Sequence, residues 1–204
     1  VRVRELSIDG IFEFIPRKFP DSRGSFAAPY QEDVFTEAVG HPLRLGQANN
    51  SVSRRGAIRG VHFADVPPGQ AKFVYCTRGS ILDVAVDLRV GSPTFGHHDT
   101  VRLDAESSNS VYLPEGIGHA LLALDDDTVV SYLCSEGYRP GHEHGVNPLD
   151  PELKLPWPSD IPLLLSDKDR DAPSLNEALA AGLLPDHQTC LEHYGRQRTM
   201  VELR

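Results

Sequence analysis

Between residues 44 and 135 the chain is a procession of short runs rich in Val, Ile, Leu, Tyr and Thr. They cover 44–53, 71–77, 80–90, 98–103, 109–113, 118–124 and 127–135, and Gly, Pro, Asn and Asp fill the gaps. Such runs suit a pleated, half-buried surface, and the gap residues are turn formers, so each run is predicted to be a strand. In 80–90, Leu82, Val84, Val86 and Leu88 alternate with Ile81, Asp83, Ala85 and Asp87. Alternate side chains leave opposite faces of a strand, so the wholly apolar set is expected against a core. The other set carries two carboxylates and is expected to look into a wet cavity. Two segments read as helices instead. Gln31–Val39 is acidic at its start and stops at Gly40; Pro173–Ala181 offers Ser174 as an N-cap and stops at Gly182. Evenly spaced strands with peripheral helices predict an all-β sandwich or jelly roll, not an α/β fold.

With 204 residues the chain can bury one substantial core, and no repeat or low-complexity linker divides it. We expect one jelly-roll domain over 1–204, with a C-terminal helical segment over about 173–195 and a proline-punctuated, surface-hugging loop over 149–162. No apolar run reaches the roughly 20 residues of a membrane helix, and no basic-then-apolar segment opens the sequence. A cytoplasmic protein without membrane contact is therefore expected. The 20 Lys+Arg against 29 Asp+Glu give a net charge of −9, which excludes a non-specific nucleic-acid binder. An anionic small ligand is compatible with that charge, because a few focused cations suffice. Cys76, Cys134 and Cys190 lie far apart and lack zinc-site spacing, so buried free thiols are expected.

Three constellations could carry chemistry: Arg59-Gly60-Val61-His62-Phe63, Pro67-Pro68-Gly69-Gln70-Ala71-Lys72 and Pro114-Glu115-Gly116-Ile117-Gly118-His119. Each has an ordinary explanation when taken alone. A single histidine on a strand is commonly packed or solvated, and Lys72 could be a snorkelling surface lysine. The third element matches the second half of the cupin signature, Pro-x-Gly-x-x-His, which makes the expected jelly roll cupin-like. A metal-binding cupin also needs a His-x-His pair, but His62 is followed by Phe63 and Ala64. His97 and His98 are adjacent and face opposite sides of a strand, and His142 and His144 have no third ligand nearby in sequence. No metal site is expected.

Read together, these elements resemble the dTDP-4-dehydrorhamnose 3,5-epimerase family, including its antibiotic-sugar members. The similar stretches are Pro16–Gly24, Gln47-Ala48-Asn49, Arg59–His62, Gln70–Lys72, Gly91–Gly96, Glu115–His119, Tyr132-Leu133 and Leu165–Asp169, in family order over about residues 5–187. The resemblance implies cofactor-free epimerisation at C3, C5 or both of a dTDP-4-keto-6-deoxyhexose. In that reading His62 is the base, Asp169 its partner, Lys72 faces the C4 carbonyl oxygen, and Tyr132 donates a proton from the opposite side. Arg23, Gln47, Asn49, Arg59, His119, Glu143 and Lys168 match positions that hold the sugar, pyrophosphate or nucleoside, and Phe19 and Tyr138 are aromatic walls for the thymidine. It further implies a homodimer with exchanged N-terminal strands, in which Arg23 completes the neighbour's site. Two departures stand out. Ala28 replaces a common Glu, and Phe63-Ala64 replaces a common Tyr-Gln pair, a change expected to alter the pocket floor beside the base. Alternatives are a mono-epimerase, a nucleotide-sugar ketoisomerase, a non-catalytic sugar-binding cupin and a metal-dependent cupin.

The chemistry suits these residue types. A hydrogen beside the C4 ketone is weakly acidic, and a preorganised cation at O4 stabilises the enolate formed by its removal. An imidazole held by a carboxylate takes protons near neutral pH, and a neutral phenol can return one from the other face.

Overall fold

The computed structural model describes residues 1–202, so the last two positions of the expected 1–204 domain lie outside the described residues. The chain opens with β1 (Arg2–Glu5), β2 (Phe12–Ile15), a hairpin of β3 (Lys18–Asp21) and β4 (Gly24–Ala27), and α1 (Glu32–Val39). Then follow β5 (Gln47–Ser53), β6 (Ile58–Ala64), β7 (Lys72–Arg78), β8 (Ser80–Asp87) and β9 (His98–Asp104). After these come β10 (Ser110–Leu113), β11 (Ile117–Ala123), β12 (Thr128–Cys134) and the short β13 (Glu143–Gly145). The C-terminal part carries α2 (Asp167–Arg170), α3 (Leu175–Ala180) and α4 (His187–Glu202).

The strands form two facing antiparallel sheets, ordered β1-β2-β10-β7-β12-β5 and β13-β6-β11-β8-β9, while β3 and β4 pair only with each other. This is the expected cupin-like jelly-roll sandwich. Val74, Cys76, Val111, Leu113 and Val130 from the first sheet meet Ile81, Ala85, Val101, Leu103 and Leu121 from the second in a central core. Burial of these apolar side chains is the main favourable term holding the sheets together.

The β8 pattern is more informative than its simple reading. Ile81 and Ala85, on the mixed face, are the ones that enter the central core. Val84, Val86 and Leu88 point outward and are sealed by Leu153, Leu175 and Ala178 of the C-terminal segments. Both faces of β8 are therefore buried, because loop and helix cover the second sheet. Asp87 is not in a wet cavity: it is fully buried and ion-paired with Arg89 at 2.8 Å, and Ser92 and Thr94 donate to it.

Both predicted helices form. In α1, Phe35 and Val39 pack on Phe14, Phe73 and Tyr112 of the first sheet, and Gly40 ends the helix in the left-handed region. Ser174 caps α3 in a reciprocal capping box with Glu177. The helical segment expected over about 173–195 holds two helices: α3 stops before Gly182, as expected, and α4 follows Pro185 and runs past 195 to Glu202. Residues 58–64, outside the predicted strands, form β6. The proline-rich stretch hugs the body as expected, with Leu153 buried and Trp157 donating to the Pro148 carbonyl oxygen at 2.8 Å. All three cysteines are buried and free. Among the described residues no helix is long and apolar enough to cross a membrane.

Candidate active site

At one end of the sandwich the gap between the sheets becomes polar and opens into a cavity of about 540 Å³. One wall is the second sheet, which supplies Arg59 and His62 from β6, His119 from β11 and Glu143 from β13. The facing wall is the first sheet, which supplies Asn49 and Ser51 from β5, Lys72 from β7, and Tyr132 and Cys134 from β12. Residues 164–166, Lys168 and Asp169 line the cavity from outside the sheets.

Strand alternation explains why His62 points in: Val61 and Phe63 on either side are buried in the outer cluster. This corrects one expectation. Phe63 is not on the pocket floor, and its ring lies 5.4 Å from that of His144 on the outside of the sheet. His62 and His119 are direct cross-strand neighbours on β6 and β11. The two strands approach so closely here that a side chain at Gly60 would strike the His119 carbonyl oxygen, and Gly60 also takes φ 119. Glycine is required there by both criteria.

His62 Nε2 lies 2.6 Å from Asp169 Oδ1. Asp169 is in α2, whose N-cap Ser166 receives the Asp169 backbone N–H at 3.1 Å, so the helix start fixes the carboxylate. Burial alone would raise the Asp169 carboxyl. The hydrogen bond and charge of His62, with help from Ser166 and the Gly60 N–H, outweigh it and hold the group below its ordinary value. His119 Nε2 lies 2.7 Å from Asp83 Oδ2 in a second pair of the same kind. Asp83 thus sits just beneath the cavity, on the mixed face of β8.

Tyr132 crosses from the opposite wall, its ring 6.0 Å from that of His119 in an edge-to-face arrangement. Its hydroxyl lies 3.3 Å from Ser51 Oγ. Burial pushes the phenol up to about 12, so it stays protonated at neutral pH. Burial also lowers the Lys72 ammonium below the ordinary lysine value, an effect partly offset by Cys134, Glu143 and Asp83. An ammonium that holds its proton less firmly is a better donor to an oxygen gaining charge.

Of the other expected ligand-holding residues, Asn49, Arg59, His119, Glu143 and Lys168 line this cavity. Arg59 is steadied by Ser53 Oγ at 3.0 Å and the Val52 carbonyl oxygen at 3.1 Å. Phe19, Arg23, Gln47 and Tyr138 do not line it. Gln47 donates to Asn49 Oδ1 at 2.7 Å and accepts from the Tyr138 N–H at 3.0 Å, which ties the exposed Tyr138 loop to the rim. Phe19 and Arg23 lie on the β3–β4 hairpin, and the Arg23 side chain is 88% exposed and, among the described residues, paired with Asp21 alone. Sequence reasoning missed Ser51, Gln70, Cys134 and Ser166 as lining residues; Gln70 and Ser166 lay within recognised motifs, whereas the other two gave no local signal. Among the described residues no group of three or more His, Cys, Asp or Glu side chains is arranged to hold a metal ion.

Residues 5–177 match the model of the dTDP-4-dehydrorhamnose 3,5-epimerase family, so the match spans most of the chain. The chain belongs to this family. Its relatives include a dTDP-4-dehydrorhamnose 3-epimerase of Streptomyces niveus, 55% identical and covering 93% of this chain and 91% of that protein. A dTDP-4-dehydrorhamnose 3,5-epimerase of Mycolicibacterium smegmatis is 54% identical, with 92% of each chain covered. Among solved structures, a 3'-monoepimerase from Streptomyces bikiniensis in complex with dTDP-quinovose superposes with a TM-score of 0.93 at 48% identity, covering 95% of this chain and 98% of that one. The family's fold is therefore shared over nearly the whole length.

Proposed function

We propose that this protein epimerises a dTDP-4-keto-6-deoxyhexose without a cofactor. The observation that carries the reading is the placement of His62 and Tyr132 on facing sheets, with Lys72 lining the same cavity. His62, held by Asp169, takes the proton from the carbon beside the C4 ketone. The electron pair moves onto O4, where the Lys72 ammonium stabilises the enolate. Tyr132 then delivers a proton to the same carbon from the other side, and the centre is inverted. The ketone is the electron sink, so the bookkeeping of protons and electrons closes within the substrate and these side chains.

Arg59 and Lys168 are suited to the pyrophosphate, since fixed cations can hold a dianion despite the net charge of −9. The β3–β4 hairpin supports a homodimer in which Arg23 and Phe19 serve the neighbouring cavity, because both are exposed and neither reaches its own. Under that arrangement, mixing Arg23→Ala with His62→Ala protein under conditions of subunit exchange restores part of the activity. A mixture no better than its parents counts against a shared site.

Relatives named for inversion at C3 alone and at both C3 and C5 are almost equally similar, which favours keeping a C3 mono-epimerase as the second reading. One experiment tests the class and separates the two. dTDP-4-keto-6-deoxyglucose is turned over in D2O with excess chelator, and the product is read by NMR. Inverted, deuterated C3 and C5 indicate a double epimerase, and C3 alone a mono-epimerase. Absence of turnover, or its restoration only by an added metal ion, would overturn the cofactor-free reading.

A further inference from the structure

A cluster of ionisable side chains lies behind the cavity, where β13 ends the second sheet. Among the described residues β13 has three register pairs, all with β6, and no strand on its other side. An edge segment this short has little of its own to hold it in place. Alternation sends Glu143 into the cavity and sends His142 and His144 the other way. Both histidines meet one carboxylate, that of Asp65, just past the end of β6. Asp65 Oδ1 lies 2.7 Å from His144 Nε2, and Oδ2 lies 3.1 Å from His142 Nδ1. The Asp65 backbone N–H also donates to the His142 carbonyl oxygen at 3.0 Å. The third partner that His142 and His144 lacked in sequence is thus 77 and 79 positions away. Its two oxygens take one imidazole each, an arrangement that ties three side chains together without converging on one point. Glu143 in turn lies near enough to Lys72 for its charge to bear on that ammonium.

We propose that Asp65 is a positioning residue: by bridging His142 and His144 it braces β13, and so holds the Glu143 carboxylate in the cavity beside Lys72. The proposal rests on the epimerase reading for its kinetic consequence. Asp65 touches nothing in the cavity, so its loss acts through Glu143 and falls mainly on the binding of the ligand.

The test is Asp65→Ala, with the double variant His142→Ala/His144→Ala removing the same bridge from its other side should the first not fold. KM is expected to rise about tenfold, the size of losing one well-placed charged hydrogen bond, with kcat changed less than about threefold. In a Glu143→Gln background the same substitution should add almost nothing, because the brace acts through that side chain. A purely structural role would give an additive loss instead. Asp65→Asn, which keeps one acceptor oxygen, should recover part of the effect. The amides of His144 and Gly145 should also exchange with D2O about tenfold faster in Asp65→Ala, a readout that needs no turnover. An unchanged KM, additivity with Glu143→Gln, or unchanged amide exchange overturns the brace. Failure of the parent protein to turn over the sugar overturns the epimerase reading instead, while amide exchange still decides the brace.

Discussion

Two histidine–carboxylate pairs stand side by side on one sheet, and they differ in who can reach them. In the first, His62 and Asp169 are 2.6 Å apart with side chains 35% and 7% exposed. In the second, His119 and Asp83 are 2.7 Å apart and only 6% and 1% exposed. The carboxylate of the open pair comes from a helix outside the sheet, whereas that of the sealed pair comes from the neighbouring strand β8. The donor chemistry is the same, but the consequences differ. An imidazole with an open edge can take a proton from a bound carbon acid and pass it to solvent. An imidazole enclosed on nearly every side is suited to a fixed hydrogen bond or a steady field. Asp83 fits the second use, because its charge also bears on Lys72 and on Tyr132.

The largest effect should come from exchanging the two histidines' fates. His62→Ala is expected to lower turnover by about 10²–10⁴ and to remove deuterium wash-in at both carbons, since the other imidazole on that wall, His119, is almost wholly enclosed. His119→Asn should leave wash-in detectable and act mainly on KM. Mass gain in D2O for the two variants side by side checks this. Wash-in that survives His62→Ala at near the parent rate, but not His119→Asn, would reverse the assignment.

Next in size is the opposite wall. Tyr132→Phe removes the proton donor but leaves His62, Asp169 and Lys72 in place, so the enolate still forms and His62 can return its own proton. Exchange with retention should persist while inversion falls by about 10²–10⁴. NMR stereochemistry set against mass gain separates the two. Equal losses of both would show that Tyr132 chiefly seats the sugar, as misplacement slows every step together.

The contrast between the pairs also shows what a sequence can and cannot display. Period-two alternation in β8 singled out Asp83 and Asp87 as unusual, but not that one underlies the cavity while the other pairs with Arg89. That distinction depends on which segment covers each end of the strand. His62, Lys72, Tyr132 and Asp169 were legible only through ordered motifs, because they come from three strands and a helix and meet through the fold. Residues 58–64 do not stand out as a strand because Arg59, Gly60 and His62 break up the apolar run, and the glycine is there for the close approach to His119. Ser51 and the bonds that join Asp65 to His142 and His144 left no local trace at all. Hydrogen-bond partners far apart in sequence are fixed by register, which composition does not encode.

Lys72→Met tests the field that the sealed pair supports, and its two effects have opposite signs. Turnover should fall by about 10², the usual cost of losing a donor at a developing oxyanion. Stability should rise. The folded chain holds the Lys72 proton less tightly than the unfolded chain, so burying the ammonium costs stability at neutral pH, and that cost fades as pH climbs toward the ordinary lysine value. An apolar side chain of similar length escapes it, and a gain of about 1 kcal/mol would raise Tm by roughly 2–4 °C. A lower Tm would mean that Glu143 and Asp83 need the cation more than burial resists it.

The smallest predicted effect sharpens the account of the open pair through pH. The folded chain holds the Asp169 carboxyl below its ordinary value, so between those two values the unfolded chain binds the proton more tightly. The resulting stabilisation is fully present above the ordinary aspartate value of about 3.9 and is lost as pH falls through the lower, folded one. Asp169→Asn keeps an oxygen for the His62 N–H but no charge, and His62 is exposed enough for solvent to screen part of the attraction. At pH 7 the variant should be less stable by about 1 kcal/mol, a charge-assisted bond traded for a neutral one. Denaturant unfolding of parent and variant from pH 7 downward should show the gap closing below about pH 4, where the parent carboxyl takes up its proton. A gap that stays constant to the acid limit would mean that Asp169 stabilises by shape and packing alone, and that the open pair owes its geometry to the α2 cap instead of to charge.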